Sequence, residues 1–166
     1  MDYVCKGVSF MVGTGIGTAE ANRLLKNFCE AIGVEVTRSA YGEGWPRAPL
    51  SCEFFYSFRQ NMDIVGWGAI RMDTTEPYAH RILGVYPEWQ NKGYAKEIGT
   101  FLSQSAMRIF PRARGVMLEV SRDNKIHLRR MMKRALAGDG GLQVAGRIDF
   151  PKPGYALFWI DRQSIL

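Results

Sequence analysis

Gln90-Asn91-Lys92-Gly93-Tyr94-Ala95 holds the residue types that a phosphate site requires. Before it stands a short apolar run, Ile82 to Tyr86, bounded by Pro87, which reads as a strand. After it Ile98, Phe101, Leu102, Ser105 and Ile109 recur at spacings of three and four, the pattern of a helix with one buried face. A strand that turns tightly into a helix leaves the first N–H groups of that helix without internal partners. Those donors, at the positive end of the helix dipole, suit phosphate oxygens. Gly93 and Ala95 are small where a bound group would press against the backbone.

Strand, Pro87, then Gln90-x-x-Gly93-x-Ala95 at a helix start resembles the acyl-CoA signature of the GNAT N-acetyltransferase superfamily, R/Q-x-x-G-x-G/A. The resemblance implies that acetyl-CoA is the co-substrate and a primary amine the acceptor, with direct attack and no metal. The diphosphate would fall to the backbone of Asn91, Lys92, Gly93, Tyr94 and Ala95, with Gln90 at the head of the turn. Leu83, Gly84 and Val85 would pair with the pantetheine arm like an added strand, and the Val85 N–H would donate to the thioester oxygen. Asn124 matches an asparagine that touches the cofactor arm, and a helix N-cap suits it equally.

Amide formation also needs a base for the amine and a proton for the departing thiolate. His80, whose residue type has an ordinary pKa of about 6.5, and Glu119, an acid inside an apolar run, are the catalytic candidates beside Val85. Glu76 lies in the preceding loop. Many members of the family carry a tyrosine acid where this chain has Met131, which donates no proton; His127, Ser121 and Tyr155 are substitutes that nothing in the sequence ranks. Met131 keeps a second reading open, an acyl-CoA-binding module without strong catalysis. Acceptor contacts would come from Tyr41 to Pro49, where the sequence names no acceptor class.

The chain has 166 residues, enough for one domain with a sizeable core. Cys5, Cys29 and Cys52 are widely spaced and lack CxxC or histidine company, which argues for a reducing, cytoplasmic setting and against a disulfide framework or zinc. No apolar run has the length of a membrane span, and the N-terminus has no leader pattern. The 22 lysines and arginines against 16 acids favour acidic partners. They leave a nucleic-acid-binding protein as a third reading, open but not favoured. On 124–137, Lys125, Arg129, Arg130, Lys133 and Arg134 read first as a solvated helix face complementing its C-terminal dipole, and secondarily as contacts for the adenosine 3′-phosphate or a phosphate-rich acceptor. Monomer and homodimer are equally compatible.

The elements that must position this chemistry follow in order. Tyr3 to Val12 is expected as one strand, and Gly13-Thr14-Gly15-Ile16-Gly17-Thr18 as a loop. It fails the dinucleotide-binding pattern because Thr18 stands where a third glycine belongs. Ala19 to Ile32 is a helix, with Ala21, Leu24, Leu25, Phe28 and Ile32 inward. Phe54 to Arg59 and Ile64 to Met72 form a hairpin, with Trp67 as a core aromatic. Gly115 to Ser121 is a strand, 124–137 a helix, and Leu142 to Phe150 and Tyr155 to Ile160 the last strands. This order is also that of the GNAT fold. It implies an α/β (α+β) architecture: a mixed, mostly antiparallel sheet of six to seven strands flanked by helices, whose fourth and fifth strands splay apart.

Overall fold

A computed structural model describes residues 2–5, 8–14, 23, 27, 30, 53–72, 77–122, 124–144 and 155–166. The chain forms two compact units, Met1–Arg71 with Arg81–Leu102, and Met72–His80 with Ser103–Leu166.

The first unit is built on strands β1 (Asp2–Cys5), β2 (Val8–Thr14), β3 (Glu53–Gln60) and β4 (Asp63–Arg71), followed in sheet order by β5 (Ala79–Val85). Tyr3 to Val12, expected as a single strand, is instead two antiparallel strands in register from Asp2↔Met11 to Cys5↔Val8. A run that pairs with itself in this way satisfies a ladder of its own peptide groups. Gly13 and Thr14, expected in a loop, extend β2 opposite Ser57 and Tyr56. Gly15 to Thr18 lie outside the described residues. Of the helix expected over Ala19 to Ile32, Arg23, Asn27 and Glu30 are described; they are helical and exposed, at spacings of four and three on one face.

Helix α1 (Tyr94–Ile109) buries its apolar stripe on this sheet. Phe101 stands edge-on to Tyr56 and Phe58, with ring centroids 5.5 and 5.6 Å away. Such pairs each contribute roughly 0.5–1.5 kcal/mol beyond the burial of area. Leu102 lies against Gly68 so closely that a Cβ there would come within 2.7 Å of its Cδ1, and Ile98 stands 3.3 Å from the same point at Gly66. The two glycines let the helix approach β4, while Trp67 between them points to the opposite face and is buried as expected. Ile109 departs from its expected place in the buried stripe: it is 37 % exposed, because the helix ends there.

The hairpin β3–β4 carries an irregularity with consequences for the site. Phe58 pairs with Gly66 but Arg59 pairs with Ile64, so Val65 is an extra residue in β4. A bulge of this kind turns a peptide group away from its own ladder. The Val65 carbonyl accepts the Tyr86 N–H at 2.9 Å.

In the second unit Ala79 and His80 of β5 pair in parallel with Val116 and Met117 of β6 (Gly115–Ser121). Strand β6 pairs along all its length with the antiparallel β8 (Tyr155–Asp161), which in turn pairs with the short β7 (Leu142–Val144). Residues 145–150 lie outside the described ones. Eight strands are described against six to seven expected, because the first became a hairpin. The ladders β1–β2, β2–β3, β3–β4, β6–β8 and β7–β8 are antiparallel, and β5–β6 is parallel.

Helix α2 (Lys125–Leu136) follows β6 and buries Met131. The last helix, α3 (Arg162–Ile165), begins with a residue that closes the far end of α1. Arg162 donates from Nη2 to the Met107 carbonyl (3.0 Å) and from Nη1 to the carbonyls of Ala113 (3.1 Å) and Phe110 (3.4 Å). A guanidinium at a helix C-terminus pairs orphan carbonyls and complements the dipole. Arg162→Ala should therefore cost about 2 kcal/mol and lower the melting temperature by roughly 5 °C, read by calorimetry, with Arg162→Lys intermediate.

Candidate functional site

The first unit gathers the expected phosphate-site residues on one continuous run of chain. Along a strand, successive residues turn their N–H and C=O to opposite sides. Tyr86 donates toward β4, and the Gly84 carbonyl lies against Gly66 on that same side. The N–H and C=O of Leu83 and Val85 therefore face away from β4, which is the arrangement a strand needs to pair with an extended ligand.

Past β5 the chain makes a single 3-10 turn, Pro87–Trp89, with Trp89 N–H to the Tyr86 carbonyl (2.9 Å) and Gln90 N–H to the Pro87 carbonyl (3.2 Å). The Gln90 side chain reaches back, donating from Nε2 to the Val85 carbonyl at 2.9 Å. Its amide thus ties the turn to the end of β5. Asn91 (φ 60°) and Gly93 (φ 88°) both take the left-handed conformation. Two such residues within one turn crowd peptide N–H groups into a concave arc, a form that binds anions. A Cβ on Gly93 would meet nothing within 4 Å, so the space over the turn is open.

Helix α1 starts at once. Its first internal bond runs from the Glu97 N–H to the Gly93 carbonyl (3.3 Å), so the N–H groups ahead of it have no acceptor inside the helix. The aromatic ring of Trp89 stands edge-on to Tyr94 at 5.8 Å, and the Lys92 ammonium lies 5.2 Å from the Trp89 centroid. These contacts stiffen the turn and hold one positive charge beside it. Asn91, Lys92, Gly93 and Ala95 are exposed, as residues that meet a ligand must be.

Two residues here escaped the sequence reading. Arg81, on β5, donates from Nη1 to the Gly99 carbonyl at 2.6 Å, and a Cβ at Gly99 would lie 3.1–3.2 Å from its guanidinium. The arginine locks β5 to α1, and Gly99 is small because the guanidinium lies against it. Glu97 is 4 % exposed, and its Oε2 has no hydrogen-bond partner among the described residues. The available signal was its place on the helix, beside Ile98 and four before Phe101, where an acid interrupts the inward face.

The remaining candidates lie in the second unit. His80 is buried and pairs opposite Met117; Glu119, two residues further along β6, is on the same face and half-buried. Parallel pairing puts their Cα atoms roughly 8 Å apart. Both side chains interact with neighbours in the structure. Asn124 caps α2, its Oδ1 accepting the His127 N–H at 3.3 Å. Met131, at the tyrosine position, is buried on the inner face of α2, with Arg134 Nη1 3.8 Å from its sulfur. Glu76 and residues 41–49 lie outside the described residues. No group of three or more His, Cys, Asp and Glu among the described residues could hold a metal, and no described helix is long and apolar enough to cross a membrane.

Solved structures share this architecture. The GNAT domain of S. lividans PAT superposes with a TM-score of 0.63 at 15% identity, over 97% of this chain and 96% of that one. A spermidine N-acetyltransferase from Vibrio cholerae, in complex with CoA and spermine, gives 0.59 at 13% identity, over 94% and 97%. A Bacillus subtilis acetyltransferase in complex with CoA gives 0.58 at 14% identity, over 92% and 98%. No family model matches the sequence, and no curated protein does. The fold is the GNAT acetyltransferase fold.

The left-handed turn offers a direct check on its geometry. Gly93→Ala should lower the unfolding free energy by roughly 1–2 kcal/mol in urea titration, through backbone strain alone, since the added methyl meets no neighbour.

Proposed function

We propose that this chain is an acetyl-CoA-dependent N-acetyltransferase, a single domain of 166 residues acting on a primary amine. The observation that carries the reading is the run from Leu83 to Ala95. Within it a strand with peptide groups turned away from its neighbour leads directly into a left-handed turn and the first N–H groups of α1, which have no acceptor inside the helix. One edge suits an amide-bearing arm, and the other end suits a diphosphate. The two follow one another along the chain, and a single extended ligand that carries both an amide-bearing arm and a diphosphate is coenzyme A.

Acetyl-CoA would supply an acyl group activated as a thioester. In this reading the N–H groups of Asn91 to Ala95 hold the diphosphate, with Lys92 adding charge, and Gln90 holds the turn in place through the Val85 carbonyl. Leu83 and Val85 align the arm, with Gly84 between them turned to β4 rather than to the arm, and the Val85 N–H donates to the thioester oxygen as it gains charge. Asn124 contacts the arm from the start of α2. The amine nitrogen forms a bond to the carbonyl carbon, the C–S bond breaks, and the sulfur leaves with its electron pair. The amine proton passes to His80 or Glu119, the two acids or bases that share a face. With Met131 at the tyrosine position, the thiolate takes its proton from water or leaves unprotonated. A reducing cytoplasmic setting belongs to the same proposal.

A second reading has its own observation. Met131 is buried and bears no exchangeable proton, so the chain would bind acyl-CoA without efficient turnover. Titration calorimetry with acetyl-CoA, followed by thiol release across an amine panel, separates the two. Micromolar binding with release supports the transferase; binding without release on any amine supports the module; no binding removes both. Gly93→Glu should abolish acetyl-CoA binding by placing a carboxylate in the anion site. His80→Ala should reduce kcat at least tenfold and remove one limb of the pH–rate profile, and an unchanged profile would clear His80 of the base role.

A further inference from the structure

Helix α2 turns Met131 inward and presents the opposite face to solvent. Lys125, Arg129 and Lys133 are exposed on that outer face at successive intervals of four residues. A helix rises about 1.5 Å per residue, so the three cations form a row about 12 Å long. Among the described residues no carboxylate pairs with any of them; Arg134, on the helix flank, takes Asp139 at 3.2 Å. No acid occurs anywhere in α2, and Arg130 and Arg122 add to the charge of the same region. The helix dipole explains Lys133 and Arg134 in the last turn. It opposes Lys125 at the first position, where an acid would stabilise the helix.

The histidine on this helix senses the surrounding charge. Burial first, then the charges of Arg130 and Arg134, lower the pKa of His127 from 6.5. The residue is nevertheless solvent-exposed, so water screens part of each effect. A positive field that reaches an exposed imidazole also reaches an approaching anion.

We infer that the outer face of α2 docks on the phosphate backbone of a duplex nucleic acid, through the row Lys125, Arg129 and Lys133. A row of single charges one helical turn apart suits a backbone of regularly repeated single charges. The face offers cations alone, in a straight row that matches the phosphates every duplex presents, so the contact is assigned to the backbone and is independent of sequence. An acidic protein partner would draw its affinity from aromatic anchors, which are missing. Ile126 and Leu136 are the exposed large apolar residues of α2, ten positions apart at its two ends, too little for insertion into a lipid surface. The inference stands apart from the proposed transferase activity.

The test is fluorescence anisotropy with a labelled 20-base-pair DNA duplex between 50 and 200 mM salt, on the intact chain. Three phosphate contacts give a slope of log affinity against log salt of about −3. The variant Lys125→Glu, Arg129→Glu, Lys133→Glu should lose at least a hundredfold in affinity while keeping its circular dichroism spectrum. Duplex binding should also raise the His127 titration midpoint, read by NMR, whereas an effect through altered folding would not. Single substitutions Lys125→Ala and Lys133→Ala, each reducing the slope by about one, keep the test valid if the triple variant fails to fold. Absence of duplex binding, binding indifferent to these substitutions, or equal binding of poly-glutamate overturns the inference. Displacement of the duplex by saturating coenzyme A also overturns it, because the row would then belong to the cofactor's own phosphates.

Discussion

The extra residue in β4 governs the geometry of everything that follows it. Val65 has no counterpart in β3, and its carbonyl turns to take the Tyr86 N–H. That one bond sets the phase of β5. Gly84 and Tyr86 then address β4, while Leu83 and Val85 present their peptide groups to the other side. A shift of one residue would exchange the two sets and turn the peptide groups of Leu83 and Val85 toward β4. The contact of the Gly84 carbonyl with Gly66 leaves no room for such slippage, since any side chain at 66 would strike it.

Helix α1 inherits its direction from this strand. Gln90 anchors the turn to the Val85 carbonyl, Arg81 ties β5 to the helix at Gly99, and the left-handed residues Asn91 and Gly93 bring the first N–H groups to the end of the strand. Its other end is finished by Arg162 from the last turn of the chain. The helix is therefore held near its start by β5 and the turn, and closed at its C-terminus by a guanidinium. An anion site made of backbone donors works only if those donors are already aimed, because reorienting them during binding would consume the affinity they provide.

The groups proposed to face the coenzyme are backbone groups, whereas those proposed to transfer protons are side chains, and that difference governs how well each could be read. Gly93 and Ala95 announce a backbone site because small residues are required by its shape. His80 and Glu119 announce only their chemistry. Their placement on one face follows from the pairing of His80 with Met117, which no local pattern encodes. Glu97 shows the reverse case: its chemistry was plain, but its burial depends on the sheet beneath α1.

The sequence by itself determined the strand–turn–helix at 82–109, the β3–β4 hairpin, the capped helix over 125–136 and the final strand. Each is a local matter of apolar period, glycine and capping chemistry, complete within a dozen residues. The turn and helix start that carry the proposed phosphate site were legible for the same reason. Only the tertiary structure decided that Tyr3 to Val12 folds as a hairpin, that Val65 is a bulge, that Gln90 bonds β5, and that Arg81 and Arg162 brace α1. These depend on which strand lies beside which, and contacts between Arg162 and Met107, 55 residues apart, leave no periodicity in the chain. The row on α2 lies between the two cases. Its spacing was visible from the start, but its exposure, and the lack of counter-charges among the described residues, became visible only once the packing showed which face was spent on the core.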